Sequence, residues 1–313
     1  MTMTQHNEHY PVMLEEALSG LNIQSNGYYI DGTLGRGGHS RSILNRLSDD
    51  GRLLALDKDP QAIHFAEQGI GKDPRVSLHH GSFTDMGKVA HEMGWTGKVS
   101  GILLDLGVSS PQLDDPQRGF SFKQSGPLDM RMNTAAGVSA AEWLAYAEAS
   151  EITQVLREYG EERFAKRIAN AIVRERDEAP IDTTQRLATI IAAANPKHEK
   201  GKDPATRSFQ AIRIFINQEL DDIKSILTQV IDLLAPGGRL VVISFHSLED
   251  RLIKRFIREQ SRGDDFPPDL PITHAQLDPK IKAIGKAQHA IDAEVHRNVR
   301  ARSAVLRVAE RMV

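Results

Sequence analysis

The chain contains no cysteine. Thiolate nucleophiles, thiolate metal sites and structural disulfides are therefore excluded, and the composition suits a reducing, cytoplasmic environment. The N-terminus "MTMTQHNEHYPVMLEEAL" lacks a basic start followed by a long apolar run. No stretch approaches the roughly 20 apolar residues of a membrane span, so a soluble, unexported protein is expected. No internal repeat or low-complexity tract interrupts the 313 residues, a length with room for about two domains. Net charge is also small, at −3, yet unevenly spread. Residues 151 to 313 hold 27 Lys plus Arg against 24 Asp plus Glu, leaving 12 against 18 for the first half. Two Arg-rich segments, "RLIKRFIREQSR" (251 to 262) and "RNVRARSAVLRVAER" (297 to 311), could serve a phosphate backbone, or could equally be a solvated helix face and a charged tail.

The first hundred residues alternate strand and helix patterns. "YYIDG", "GRLLALD" (51 to 57), "RVSLHH" (75 to 80) and "KVSGILLDLG" (98 to 107) read as strands. Between the first two, Ile43, Leu44 and Leu47 share a helical face; Asp59 followed by Pro60 caps the next helix. Short crossovers of this kind imply a doubly wound α/β sheet with its ligand at the carboxyl ends of the strands. Residues 113 to 208 then offer only loops and amphipathic helices, which predicts an inserted all-helical domain, with "NPKHEKGKDPATRS" (195 to 208) as its exit linker. A single long helix is expected from Phe209 to Leu234, stopping at "APGG"; "RLVVISF" (239 to 245) and "SAVLRVAE" (303 to 310) return to the sheet. The sheet domain is thus read as 1 to 112 plus 209 to 313.

The turn in "YYIDGTLGRGGHS" (28 to 40) is the chemically informative one. Gly32 and Gly37 have phosphate-loop spacing, but Gly38 stands where the lysine belongs, which removes the main charge partner of a triphosphate. Gly35 and Gly37 fit a dinucleotide turn, with Ser40 in place of the third glycine, and Asp57 follows about 20 residues on as a ribose ligand should. Asp57 argues for adenosine in general, since a carboxylate accepts from two ribose hydroxyls whatever cofactor carries them. Asp31 enters the turn as an acid, Asp105 ends the fourth strand, and "LAPGGRLVVIS" has the helix, turn and strand order common in methyltransferases. An acid at the turn repels a pyrophosphate but suits a cofactor bearing a sulfonium and an ammonium, so the charge logic selects S-adenosylmethionine.

Long segments in order along nearly the whole chain, among them "HYPVML", "YYIDGTLGRGGHS", "GILLDLGVSSPQLDDPQRGFSF", "GPLDMRM", "YGEERFAKRIA", "PATRSFQAIRI" and "LAPGGRLVVISFHSLEDRLIKRF", resemble the MraW family of ribosomal RNA small subunit methyltransferases. The resemblance implies a class I (Rossmann-like) methyltransferase that moves a methyl group from S-adenosylmethionine to N4 of a cytidine in the decoding region of 16S ribosomal RNA. It implies that Gly37, Gly38, His39, Asp57, Phe83, Asp105 and Gln112 hold the cofactor. Where the family usually reads Asn, Pro, Arg, Ala, Arg, this chain has Val299 in place of the proline, which loosens a turn without deleting a chemical group.

Methyl transfer from a sulfonium needs no metal and no covalent enzyme intermediate, and positioning supplies most of the rate. The cytosine amine delocalises its lone pair, so acceptors must draw its hydrogens out of the base plane. "DLGVSSPQ" (105 to 112) supplies candidates in Asp105, Ser109 and Ser110. His246 could touch substrate or act as a base, or could instead cap the next helix with Glu249. Arg251, Lys254 and Arg255, with the inserted domain, are expected to grip RNA, so binding should fall with salt. The small ribosomal subunit is the expected partner. The rival readings are a DNA amino-methyltransferase, a non-catalytic ribosome assembly factor on the same fold, and a dehydrogenase.

Overall fold

The computed structural model describes residues 10–196, 203–263 and 278–312. In chain order the first elements are α1 (Leu14–Leu21), β1 (Tyr28–Asp31), α2 (Gly38–Leu44), β2 (Arg52–Asp57), α3 (Pro60–Gln68), β3 (Val76–His80), α4 (Met86–Glu92) and β4 (Val99–Asp105). Helices follow without strands: α5 (Ser110–Asp114), α6 (Ala140–Tyr146), α7 (Ala149–Gly160), α8 (Ala165–Glu178), α9 (Thr184–Ala194) and α10 (Thr206–Asn217). The chain ends with α11 (Glu219–Leu227), α12 (Val230–Leu233), β5 (Leu234–Ser244), α13 (Ser247–Arg262), β6 (Ile281–Ala283), β7 (Gln288–His289), α14 (Asp292–Arg297) and β8 (Val305–Arg311).

The apolar runs become strands because both faces of a parallel sheet are covered. Tyr29, Ile30, Leu53, Leu54, Ile102 and Leu103 are essentially solvent-free. The sheet order is β3-β2-β1-β4-β5-β8-β6, with β7 also on β8. β1 to β5 are mutually parallel, whereas β8 runs antiparallel to β5. This is a doubly wound, Rossmann-like sheet. Sequence order departs in opposite directions from the β1/β4 pair, so the switch point and its ligand crevice lie at the carboxyl ends of those two strands. Asp59 accepts from the Gln61 N–H at 2.9 Å with Pro60 at the first helical position, so α3 begins as its sequence requires.

Two units divide the chain. One runs up to Gly107 and resumes at Asp221; the other is Val108–Leu220. The division falls at 107/108 and 220/221, where the sequence suggested 112/113 and 208/209. The second difference has a clear cause: α10 packs on α7 through its buried Phe209, Ala211 and Ile212, so its apolar face belongs to the helical core. The expected linker is outside the described residues from 197 to 202.

One expected helix is three. Gln218 adopts φ 55° and ends α10, and a second break separates α11 from α12. Uninterrupted apolar steps of three and four conceal this reversal, because the break is fixed by polar contacts. Asn217 turns its amide to the carbonyls of Arg213 (2.9 Å) and Met130 (2.7 Å), and Arg213 forms two bonds to Glu219 at 2.8 and 2.9 Å. "APGG" likewise lies within β5, as a bulge: Val99 pairs with Leu234 and Gly101 with Arg239, so residues 235 to 238 are looped out of register. β6 and β7 are short additions that the sequence pattern did not suggest.

The helical unit has its own core, centred on Leu144, Ile152, Leu156, Ile168, Ile172, Leu187 and Ile191. "GPLDMRM" is held there by Arg118, whose Nη2 donates to the carbonyls of Arg131 (3.1 Å) and Met132 (2.9 Å), and by Asn217, which accepts from the Met132 N–H. No helix among the described residues is long and apolar enough to cross a membrane.

Candidate functional site

Three strands of the sheet unit end on an acid: β1 on Asp31, β2 on Asp57 and β4 on Asp105. All point to the carboxyl edge that the topology singles out. The glycine turn after β1 organises them. Asp31, 1 % exposed, accepts from the Thr33 N–H at 3.1 Å and from the Ser40 hydroxyl at 2.6 Å. The Thr33 hydroxyl in turn accepts from the Asp105 N–H at 2.6 Å, fastening the turn to the end of β4. Asp31 therefore spends both oxygens on building the turn. Burial nevertheless pushes its carboxyl upward, opposed by the Ser40 hydrogen bond and by His39.

Gly37 has φ +70° and is the left-handed residue before α2, a conformation that L side chains rarely adopt. Gly38 opens α2 against Pro11, where an added Cβ would lie 2.3 Å from Cγ. Phe83 begins the short 3-10 turn after β3, and its Cβ sits 3.0 Å from the place a Cβ on Gly32 would take. The aromatic thus flanks the glycine turn rather than lying deep in the core.

Asp57 is oriented by two backbone donors, Gly35 N–H to Oδ2 at 2.7 Å and Asp59 N–H to Oδ1 at 2.8 Å. Each oxygen keeps a second lone pair, so a fixed, half-buried carboxylate faces the turn with acceptor capacity to spare. Burial, with Asp59 and Asp31 as like charges, pushes its pKa up to about 6 against those two hydrogen bonds.

Asp105 differs. Its Oδ1 is buried and unpartnered, while the side chain as a whole is 24 % exposed. Burial first, then the charges of Asp31 and Glu249, hold its carboxyl well above the ordinary carboxylate range. His39, 5 % exposed, places Nε2 3.1 Å from the Val12 carbonyl, so that nitrogen carries the hydrogen. Its Nδ1 then presents a lone pair 3.8 Å from Asp105 Oδ2, too far for a hydrogen bond. Burial lowers the His39 pKa and keeps the ring neutral.

These features fit S-adenosylmethionine. Asp57 has the lone pairs for a ribose diol, Phe83 flanks the glycine turn, and the buried Asp105 oxygen has room in its hydrogen bonding for a donor or a cation. Asp31, His39, Asp57, Phe83, Asp105 and Gly37 are brought together in one unit. Gln112, Ser109 and Ser110 belong to the helical unit. There Ser109 and Gln112 form a reciprocal cap on α5, with the Ser109 N–H donating to Gln112 Oε1 at 2.9 Å, and Ser110 is buried. Thr33 and Ser40 escaped the sequence reading, although Ser40 stood in plain view as the departure from a third glycine.

His246 takes the capping position. Its Nδ1 accepts from the Glu249 N–H at 3.5 Å, and fully buried Glu249 returns Oε2 to the N–H groups of Phe245 (2.8 Å) and His246 (3.3 Å). Of the two uses the sequence left open for His246, the helix cap is formed. Arg251, Lys254 and Arg255 are exposed along α13, with Arg255 paired to Glu259 at 2.7 Å. The C-terminal arginines are more committed: Arg307 forms two bonds to Asp250 and Arg311 donates to the Leu234 carbonyl. Val299, 71 % exposed, starts a 3-10 turn capped by Asn298, so the turn forms without proline.

A family model described as the MraW methylase family matches residues 6–312. A Ribosomal RNA small subunit methyltransferase H from Pseudoalteromonas atlantica is 57% identical over 312 residues, covering 99% of this chain and 100% of that protein. Among solved structures, an rRNA methylase from Streptococcus thermophilus aligns with TM-score 0.43 at 10% identity, over 96% of this chain and 95% of that one. A SAM-dependent O-methyltransferase from Thermotoga maritima aligns with TM-score 0.40 at 10% identity, over 96% and 64%. A family match over almost the whole length, together with a relative identical at 57% of positions across 99% of the chain, places the chain in the MraW methylase family.

Proposed function

We propose that this protein transfers a methyl group from S-adenosylmethionine to N4 of a cytidine in the decoding region of 16S ribosomal RNA, acting on the small ribosomal subunit in the cytoplasm. The observation that carries the reading is Asp105: a strand-end carboxyl at the topological switch point with a buried, unsatisfied oxygen. The relative from Pseudoalteromonas atlantica, identical at 57% of positions, is named for the same class of RNA substrate.

When bound, the cofactor supplies an electrophilic methyl group. Asp57 accepts from its ribose, and Phe83 with the Gly37–Gly38 turn borders the adenosine. With its carboxyl held well above the ordinary carboxylate range, Asp105 is favoured as the carboxylate by a cation beside it. As carboxylate it can accept a hydrogen bond from the cytosine amine and draw that nitrogen toward a nucleophilic geometry. Methylation of the amine would release one proton from it, and Asp105, or Ser109 and Ser110 a few residues along the chain, would provide the acceptors. The helical unit, with Arg251, Lys254 and Arg255 on α13 and with His246 at its start, contacts the RNA.

The test is to incubate the purified protein with isotopically labelled S-adenosylmethionine and, separately, small subunits lacking the modification, naked 16S RNA, duplex DNA and ribosomal protein. Label in N4-methylated cytidine from subunits or RNA is the expected result. Label confined to DNA or protein would overturn the substrate assignment, and no label anywhere would favour a docking role.

A further inference from the structure

The helical unit holds a groove of about 510 Å³ between α8 and α9. Its floor is apolar and small: Ala171 from α8, with Ile190 and Ala194 from α9. Its polar wall is Lys166, Arg167, Asn170 and Arg174, all exposed. α8 turns Ile168, Ala169 and Ile172 into the core, which forces these four outward. Positions 166, 170 and 174 are four apart, so they share a face and climb the axis by about 6 Å each.

The arginines of α8 are not equivalent. Arg176, 15 % exposed, is consumed by structure: its Nη1 donates to the carbonyls of Leu144 and Ala147 at 2.7 and 2.6 Å. Arg174, by contrast, has only an exposed pair with Glu175 at 2.9 Å, an interaction worth at most about 1 kcal/mol and readily exchanged. Lys166 and Arg167 have no ion-pair partner among the described residues. Among the described residues Glu175 is the only acid in the lining, so these side chains carry an excess of two positive charges.

We propose that this groove binds the sugar–phosphate backbone of a single-stranded RNA segment. The inference rests on the reading of the protein as an RNA methylase and deepens it by naming a site. The cations lie in a row rather than converging on one point, which suits a chain of phosphates better than a lone anion. Asn170, between them, offers both a donor and an acceptor to a ribose 2′-hydroxyl. Among the described residues no aromatic side chain lines the groove, so none of them offers a base-stacking platform and recognition is indifferent to sequence.

The experiment uses the full chain, a fluorescent mixed-sequence 12-nucleotide RNA and anisotropy at several salt concentrations. The triple variant Lys166→Gln, Arg167→Gln, Arg174→Gln should bind up to about 100-fold more weakly at 0.1 M salt, with its log–log salt slope reduced by about 2, as expected for three lost phosphate contacts on a single strand. The Lys166→Arg, Arg167→Lys, Arg174→Lys variant should restore the slope. Binding of S-adenosylhomocysteine should be unchanged in both, which shows that the fold is kept. A triple variant with the wild-type slope and affinity for RNA overturns the site, as does one that keeps its RNA slope but loses binding to polyglutamate, which would assign the groove to an acidic protein. Methylation of small subunits by the wild type is scored in parallel. Its failure would refute the underlying reading, whereas success with an unchanged triple variant would refute the groove alone.

Discussion

Asp57 gives the sharpest test, because one group joins cofactor affinity to pH. Its carboxyl is pushed up to about 6 in the ligand-free protein, and only the ionised form accepts both ribose hydrogen bonds at full strength. The ionised fraction is then nearly complete at pH 8, one half at pH 6 and about one tenth at pH 5, so affinity for S-adenosylhomocysteine should fall about 11-fold between pH 8 and pH 5. Titration calorimetry measures this directly. Asp57→Asn should remove the pH dependence and weaken binding by about 3 kcal/mol, roughly 150-fold at pH 8, since two charge-assisted bonds are lost. The same group gives a stability signature of defined sign. In the folded chain Asp57 retains a proton that the unfolded chain, with the ordinary value of 3.8, has already released. Its ionisation therefore opposes folding, fully above pH 6 and progressively less as pH falls from 6 toward 3.8. Relative to wild type, Asp57→Asn should gain about 1.4 kcal/mol between pH 5 and pH 7.5 in urea unfolding without ligand. A wild-type affinity that is flat from pH 8 to pH 5 would refute the reasoning, as would a variant whose relative stability does not change with pH.

Burial holds the Asp105 carboxyl well above the ordinary range and a cation beside it favours the ionised form, so binding of S-adenosylmethionine should release protons, detected as a dependence of the calorimetric heat on buffer ionisation enthalpy; Asp105→Asn should release fewer, and a variant that releases as many as wild type would refute this. Asp222 pairs with Lys58 and accepts from the Ser82 hydroxyl at 3.0 Å, steadying the residues beside Asp57 and Phe83. Asp222→Asn should raise the cofactor Kd about 5-fold, roughly 1 kcal/mol, and leave kcat unchanged; a fall in kcat at unaltered Kd would contradict this positioning role. His246→Ala should reduce stability by about 1 kcal/mol through loss of its cap and slow methylation without weakening cofactor binding. Unchanged turnover would confine His246 to the cap.

The legible part of the site is the part that periodicity locates. A strand betrays its end by a change from apolar run to glycine, charge or proline, and Asp31, Asp57 and Asp105 stand at those ends, so three strands and three acids could be read together. Thr33 and Ser40 could not, since a hydroxyl in a turn is ordinary. Their importance arises only when the turn folds back and Thr33 bridges Asp31 to the Asp105 amide. The break at Gln218 was hidden for the opposite reason: the apolar steps continue through it, and polar contacts of Arg213 and Asn217 decide the backbone.

Charge shows the same limit most plainly, because Arg174 and Arg176 are two residues apart with the same chemistry. On a helix that spacing turns the side chains about 200° apart, which sends Arg176 to the carbonyls of Leu144 and Ala147 and leaves Arg174 on the groove. A count of cations therefore overstates what a basic segment offers to RNA, and the near-neutral total conceals which cations are free to bind. Ligand capacity here follows from which arginines the fold has already spent. By that criterion the groove on α8 is a better phosphate track than the Arg-rich C-terminus, where Arg307 and Arg311 are tied to Asp250 and the Leu234 carbonyl. Neutralising Lys166, Arg167 and Arg174 should accordingly change RNA affinity, while neutralising Arg307 should change stability instead.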